Sequence, residues 1–537
     1  MRTAQTALSH VSHRYADQVV LDQVSFTVKP GEKVGVIGDN GSGKSTLLRL
    51  LAGRALPSNG SLTVSVPGGI GYLPQTLELP GSATVQDAID LALAELRELA
   101  AEMSAMESSL TPSRFDAYAE LIARFEARGG YTADTRVDAA LHGLGLPGLS
   151  RSRRLGTLSG GERSRLALAA TLASSPELLL LDEPTNDLDD SAVSWLEDHL
   201  RGHRGTVIAI THDRVFLERI TSTILEVDLG KVRRYGNGYA GYLAAKAAER
   251  AAWAEEYEEW KEELARHAGL VEANAGRMAA IPRKMDKAGM GTGTWRARSR
   301  AHGAASRIRQ SQQRVEWLHA NPVPPPPEPL RFAATPSVVS GAQGSRAVVE
   351  LAEVRVGSRL AVPWLSVQPG ERVLVTGPNG AGKTTFLRVL AGQVVPDSGT
   401  IRRPARIGYL RQEEPVFDPA HTVLRAYAAG RPGTMDEHAD ALVALGLFRP
   451  ADLGARVGEL SVGQRRRIEL ARLVSDPADL MLLDEPTNHL SPVLVEQLEE
   501  ALAGYTGALV MVTHDRGIRA SFTGTHLELA DGAFAAA

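Results

Sequence analysis

Two stretches of this chain set a lysine behind a run of glycines: "GDNGSGKST" from Gly38 to Thr46 and "GPNGAGKTT" from Gly377 to Thr385. G-x-x-x-x-G-K-[ST] is the spacing of a phosphate-binding loop. Gly38, Gly41 and Gly43, and Gly377, Gly380 and Gly382, let backbone N–H groups close on phosphate oxygens without a Cβ in the way. Asn40, Thr46, Asn379 and Thr385 complete the two loops. Lys44 and Lys383 would reach the β- and γ-phosphates, and the hydroxyls of Ser45 and Thr384 would ligate Mg²⁺. Two apolar runs, "LLLLDE" and "LMLLDE", end in paired carboxylates. Asp182 and Asp484 suit Mg²⁺, and Glu183 and Glu485, one residue on, suit polarisation of an attacking water. His212 and His514, in two "THDR" motifs, keep register with those carboxylates and are expected at the γ-phosphate. Gln75 and Gln412 close two "GYLxQ" runs and would meet the Mg²⁺ or the water.

Chemistry of this kind needs a strand, a loop and a helix in that order. Each glycine loop follows a β-rich run, "KVGVIG" or "RVLVTG", and precedes an apolar helical pattern, "STLLRLLAG" or "TTFLRVLAG". The helix N-terminus then adds its dipole to the anion site. The same parts occur twice, so the chain is an internal duplication. Lys44 and Lys383 are 339 positions apart, whereas Glu183 and Glu485 are 302 apart. The first copy therefore carries an insertion between loop and carboxylates, placed at about 85–130 and read as two helices, with Thr111-Pro112-Ser113 supplying a cap and an early proline for the second.

A second addition separates the copies. "GYLAAKAAERAAWAEEYEEWKEELARHAGLVEA" and "RARSRAHGAASRIRQSQQRVEWLHA" read as long helices joined through a Gly- and Met-containing stretch, and "NPVPPPPEPL" follows as a stiff spacer. The expected layout is a first nucleotide-binding domain at 1–240, a helical hairpin with its proline-rich spacer at 241–330, and a second nucleotide-binding domain at 331–537. The fold class is α/β: two tandem P-loop ATPase domains joined by a long α-helical hairpin.

Composition limits the alternatives. The chain has 537 residues, 43% apolar and 23% charged, with a net charge of −4. That is ordinary for a globular protein and too long for one core. It has no cysteine, so thiolate metal sites and disulfides are excluded. No apolar run approaches a membrane span, and a cytoplasmic location without membrane insertion is expected. Charge is local. Lys246 to Glu272 holds four basic and eight acidic residues, whereas Arg277 to Arg314 holds ten basic residues and only Asp286 as an acid. A cationic stretch of this kind suits RNA phosphates.

The chain resembles the ATP-binding cassette superfamily. The likeness rests on the two phosphate loops, on "LSGGE" (158–162) and "LSVGQ" (460–464), and on "DEPTN" followed by "THDR". It implies ATP as the nucleotide, with Mg²⁺, and two composite sites formed head to tail within one monomer. Lys44 would share its ATP with Ser461 and Gly463, and Lys383 with Ser159 and Gly161. Tyr15 sits where the superfamily stacks an aromatic on adenine. The second copy has "EVRVGSRLAVPW" there, leaving Arg355 or Arg359 as substitutes. Val462 replaces the usual signature glycine, and Ser491 stands where the first copy has Asp189. Unequal hydrolysis at the two sites is expected.

The inter-domain hairpin narrows the likeness to the ABC-F group, which binds ribosomes near the vacant exit site. There the hairpin meets the peptidyl-site transfer RNA and large-subunit ribosomal RNA. For this chain the RNA-facing candidates are Arg277, Arg283, Lys284, Lys287, Trp295, Arg296, Arg298 and Arg300. The short insertion and Ala/Arg/Gly-rich composition resemble the macrolide–lincosamide–streptogramin resistance members of actinomycetes, which displace drug from the ribosome and leave on hydrolysis. A general translation factor that frees stalled ribosomes, and the ATPase subunit of a drug exporter, are the competing readings.

Overall fold

The computed structural model describes residues 5–16, 18–75, 79–279, 308–333, 347–378, 380–413, 416–488 and 490–534. The chain forms two compact units. One comprises residues 1–243, 329–435 and 451–537 and holds both nucleotide-binding copies; the other comprises 244–328 and 436–450.

The first unit is built on parallel strands whose sequences are apolar on both faces, as burial from both sides demands. In the first copy the strand order is Ile70–Leu73, Leu178–Asp182, Thr206–Ile210, Lys33–Gly38, Thr223–Asp228 and Lys231–Gly236, parallel except for the last. Every residue of Leu178–Asp182 and Thr206–Ile210 is buried. A separate antiparallel sheet, Gln18–Val28, Gln5–Tyr15 and Asn59–Ser65, packs with the helix Lys44–Leu51 around Val11, Leu21, Leu47 and Leu50. The second copy repeats the scheme, but its two sheets join into nine strands through a single pair, Ala361 with Ala533.

The insertion of the first copy folds as helices Ala94–Glu107 and Phe115–Ala127. They meet through a small apolar seam of Leu99, Leu121 and Phe125. Thr111 does not cap the second helix by its side chain. It precedes a short 3₁₀ turn, Pro112–Arg114, and its hydroxyl meets Ser113 at 3.1 Å instead.

The second unit contains most of the helix Gly238–Ala279, which runs for 42 residues, and the helix at 308–320. Alanine, glutamate and leucine favour so long a helix. The two are cross-tied: the Trp260 indole donates to the Leu318 carbonyl at 3.2 Å and the Trp253 indole to that of Pro324 at 2.9 Å. Arg314 makes a two-pronged bond to Glu263, each prong 2.9 Å, and covers the Trp317 ring at 4.3 Å. One cation of the basic stretch is therefore engaged inside the hairpin. Arg283, Lys284, Lys287, Trp295, Arg296, Arg298 and Arg300 lie outside the described residues, as does the side chain of Arg277. Among the described residues no helix is long and apolar enough to cross a membrane.

Candidate nucleotide sites

Each phosphate loop is fixed by its strand and helix. Gly38 has φ 146° and Gly377 φ 145°, and a Cβ on either would strike a backbone carbonyl, Val227 at 2.2 Å or Leu529 at 2.0 Å. Only glycine fits there. Gly43 and Gly382 open the helices Lys44–Leu51 and Lys383–Leu390. Both lysines are nearly buried. Lys44 Nζ donates to the carbonyls of Gly38 at 2.7 Å and Asp39 at 2.9 Å; Lys383 Nζ donates to Gly377 at 2.6 Å and Pro378 at 3.0 Å. Burial lowers the pKa of each ammonium, with nearby carboxylates pulling the other way. Ser45, Thr46, Thr384 and Thr385 follow in the first helical turns, with Asn40 and Gly41, and Gly380 in the second copy, in the loops before them. Asn379 lies outside the described residues.

The carboxylates converge on these loops because parallel strands put their C-terminal ends on one edge. Asp182 and Asp484 end the strands Leu178–Asp182 and Leu480–Asp484. Burial pushes both above the usual carboxylate range. Asp484 is 1% exposed, and neither of its carboxylate oxygens has a hydrogen-bond partner within 3.5 Å among the described residues. A buried, unpaired carboxylate is costly, so this donor set fits a divalent cation. The Thr384 hydroxyl meets Gln412 Oε1 at 3.3 Å, so two of the proposed ligands are already neighbours. Gln75 lines a cavity of about 480 Å³ with Gly161, Ser164, Asp182 and Glu183.

Glu183 and Glu485 share a second feature. Their φ values are +52° and +49°, the left-handed region that residues other than glycine seldom adopt. Each is held there by a backbone bond to the next strand, Glu183 to Ile210 and Glu485 to Val512, both 2.9 Å. Strain of this kind is typical of functional positions. Burial raises Glu183 well above an ordinary glutamate and Glu485 to about 7. His212 Nε2 lies 3.3 Å from Glu183 Oε1, and His514 Nε2 lies 3.6 Å from Glu485 Oε1. The His514 amide also donates to Glu485 at 3.1 Å.

The signature loops are helix starts. Ser159 and Ser461 cap the helices Gly160–Ala173 and Val462–Ser475 through reciprocal boxes with Glu162 and Gln464. Gly161 and Gly463 lie in those first turns. Ser461 stands against the first phosphate loop: a Cβ placed on Gly41 would be 3.6 Å from that of Ser461. A Cβ on Gly380 would meet nothing within 4 Å among the described residues. The structure thus sets Ser461 against the loop that precedes Lys44, with Gly463 in the same turn, and among the described residues Gly380 has no matching contact from Ser159.

Several participants are not evident from motif matching. Arg467 forms an ion pair with Asp39 across the two copies. Arg214 pairs with Glu499 and Asp515, and Arg516 with Glu197 and Asp213, so the last two residues of both "THDR" motifs exchange partners between copies. The repetition of the Asp-Arg pair was the available signal. Tyr15 is 47% exposed and packs edge-on to His13 at 4.8 Å. The Arg359 backbone runs beside the second loop, its carbonyl 2.6 Å from where a Cβ on Gly382 would stand.

Comparison with known proteins gives the following. The family described as "ABC transporter" matches residues 21–186 and 363–488. The tylosin resistance ATP-binding protein TlrC of Streptomyces fradiae is 62% identical, over 99% of this chain and 99% of the relative. The energy-dependent translational throttle protein EttA of Escherichia coli K12 is 33% identical, over 93% of this chain and 87% of its own. Among solved structures, the archaeal ribosome recycling factor aABCE1, in complex with the ribosomal stalk protein aP1, matches with a TM-score of 0.53 and 20% identity. That match covers 97% of this chain and 87% of the other and supports the tandem fold.

Proposed function

The chain belongs to the ATP-binding cassette family, in its ABC-F group, and we propose that this ATPase protects ribosomes from a macrolide-type antibiotic. The observation that carries the reading is the full-length 62% identity to a tylosin resistance protein, which includes the region between the cassettes as well as the cassettes themselves. The cytoplasm follows as its place of action, and the domain limits at about 240 and 330 follow from the same reading.

Each ATP would be held by one cassette's loop and capped by the other's signature helix. Lys44 and Lys383 bind the phosphates, and the N-termini headed by Ser461 and Ser159 add N–H groups and dipole. Ser45, Gln75 and Asp182, and Thr384, Gln412 and Asp484, would hold Mg²⁺, which when bound neutralises phosphate charge. Glu183 and Glu485 take the proton of the attacking water. Their raised pKa values suit a base working near neutrality. His212 and His514 hold those carboxylates on one side and face the γ-phosphate on the other. Closure of both sites would commit the hairpin, with Arg277, Arg283, Lys284, Lys287, Trp295, Arg296, Arg298 and Arg300, to large-subunit ribosomal RNA and the peptidyl-site transfer RNA. Hydrolysis would release it.

Expression in a tylosin-sensitive host tests this. The wild-type chain should raise the inhibitory concentration of tylosin, and Glu183→Gln/Glu485→Gln should pellet with ribosomes in ATP yet fail to protect. The likeness to a translational throttle protein favours a second reading, a general translation factor. In that case ribosome pelleting persists without any change in drug tolerance. Lower drug accumulation in cells would instead favour an exporter subunit.

A further inference from the structure

We propose that the helix Val462–Ser475 is a one-way relay, carrying the state of the Lys44 site to the general base of the Lys383 site. The proposal rests on the two composite ATP sites argued above.

Two adjacent arginines on this helix point to different sites. Arg467 crosses to the first cassette and pairs with Asp39, the residue after the first glycine of that phosphate loop. Arg466 turns inward and is 4% exposed. Its guanidinium donates to the carbonyl of Arg411, beside Gln412, and to the carbonyls of Asp484 and Glu485, both at 3.4 Å. Glu469, one turn on, balances its charge at 2.9 Å. One rigid turn of helix therefore touches the Lys44 loop with one residue and the backbone of Glu485 with the next. A shift of that turn when the first site fills would be felt at the left-handed φ of Glu485.

The other signature helix lacks both grips. Pro378 replaces Asp39 in the second loop, so no carboxylate is offered there. Arg165, the counterpart of Arg467, donates to Gly161, Leu144 and Gly145 within its own cassette. Ser164 and Ala167 replace Arg466 and Glu469, and both line the 480 Å³ cavity beside Glu183. Binding couplings are reciprocal by thermodynamic necessity, but rate effects are not. A relay acting on the base can therefore run from the Lys44 site to the Lys383 site alone.

The test uses the full chain with ATP alone and measures phosphate release. In a Glu183→Gln background turnover reports the Lys383 site; in Glu485→Gln it reports the Lys44 site. Asp39→Asn should slow the Lys383 site about threefold, the weight of a partly exposed ion pair, with KM for ATP unchanged, although Asp39 lies on the other site's loop. Arg466→Ser should slow it about tenfold, the cost of a base that is kept but held less well in place, and Arg466→Lys should restore part of that. The swap Asp39→Arg/Arg467→Asp should recover most of the loss. If Asp39→Asn slows only the Lys44 site, Asp39 acts locally and the relay is wrong. If neither Glu→Gln change lowers turnover at all, the site assignment itself fails and the relay falls with it. Asp39 is partly exposed, so its variant should fold even where Arg466→Ser does not.

Discussion

Arg516 of the second cassette donates to Asp213 of the first at 2.7 Å, while Asp213 caps the helix Arg214–Ile220 through the Phe216 amide. The same guanidinium nitrogen reaches Glu197 at 2.6 Å. Glu197 is 1% exposed. Arg214 and Asp515 repeat the arrangement in the opposite sense. The residues that follow His212 and His514 thus pin one cassette to the other.

Removing that pin exposes its weight. Arg516→Met leaves Glu197 with Arg219 as its one remaining ion-pair partner among the described residues, and a buried carboxylate that loses an ion pair costs roughly 3 kcal/mol. The expected outcome is a lower melting temperature for the nucleotide-free protein, read by scanning calorimetry. An unchanged melting temperature would show the pair to be energetically idle.

The two bases should not be equivalent. Burial raises both, but Arg466 grips only the Glu485 strand. Loss of a general base costs about 10²- to 10⁴-fold at its own site. We expect Glu183→Gln and Glu485→Gln to leave different residual turnovers, each carried by the surviving site. Equal residual rates would contradict the asymmetry.

Stability should fall in mild acid. His203 is half-buried beside Lys33 and His199, and burial lowers its pKa to about 4. Unfolded, it binds a proton near 6.5. Between those values the unfolded chain holds the extra proton, so stability is lost as pH falls through 6.5. His203→Gln should flatten the melting temperature between pH 7.5 and pH 5 relative to wild type. A variant that tracks wild type would assign the acid sensitivity elsewhere.

Ribosome binding through the hairpin should weaken with salt. If Arg283, Lys284 and Lys287 meet RNA phosphates, changing all three to Gln should reduce the salt slope of ribosome binding by about 2 to 3, at roughly 0.7–0.9 per phosphate contact. Sedimentation at graded KCl reads this directly. An unchanged slope would place the RNA contact on other residues.

The nucleotide-binding fold was legible because a phosphate loop leaves so few options: strand, glycine turn and helix must follow in order, and both copies obey. Ser159 and Ser461 were legible through the likeness of their signature loops, and the capping boxes that seat them are local patterns. Asp39, Arg466 and Arg467 were not, since their partners are distant in sequence and each looks like an ordinary charge. Thr111 misled for a physical reason: Pro112 set a 3₁₀ turn, and the α-helix began only at Phe115. The join between the sheets of the second cassette rests on one pair of alanines, which no periodicity announces.

The capping boxes carry one more implication. Ser159 and Ser461 each accept a bond from the third amide of their own helix. The remaining N–H groups of that first turn stay open to a visitor. A helix terminus held open in this way favours an anion over a cation, so the chain's own turn geometry has already chosen the sign of the guest before any guest arrives.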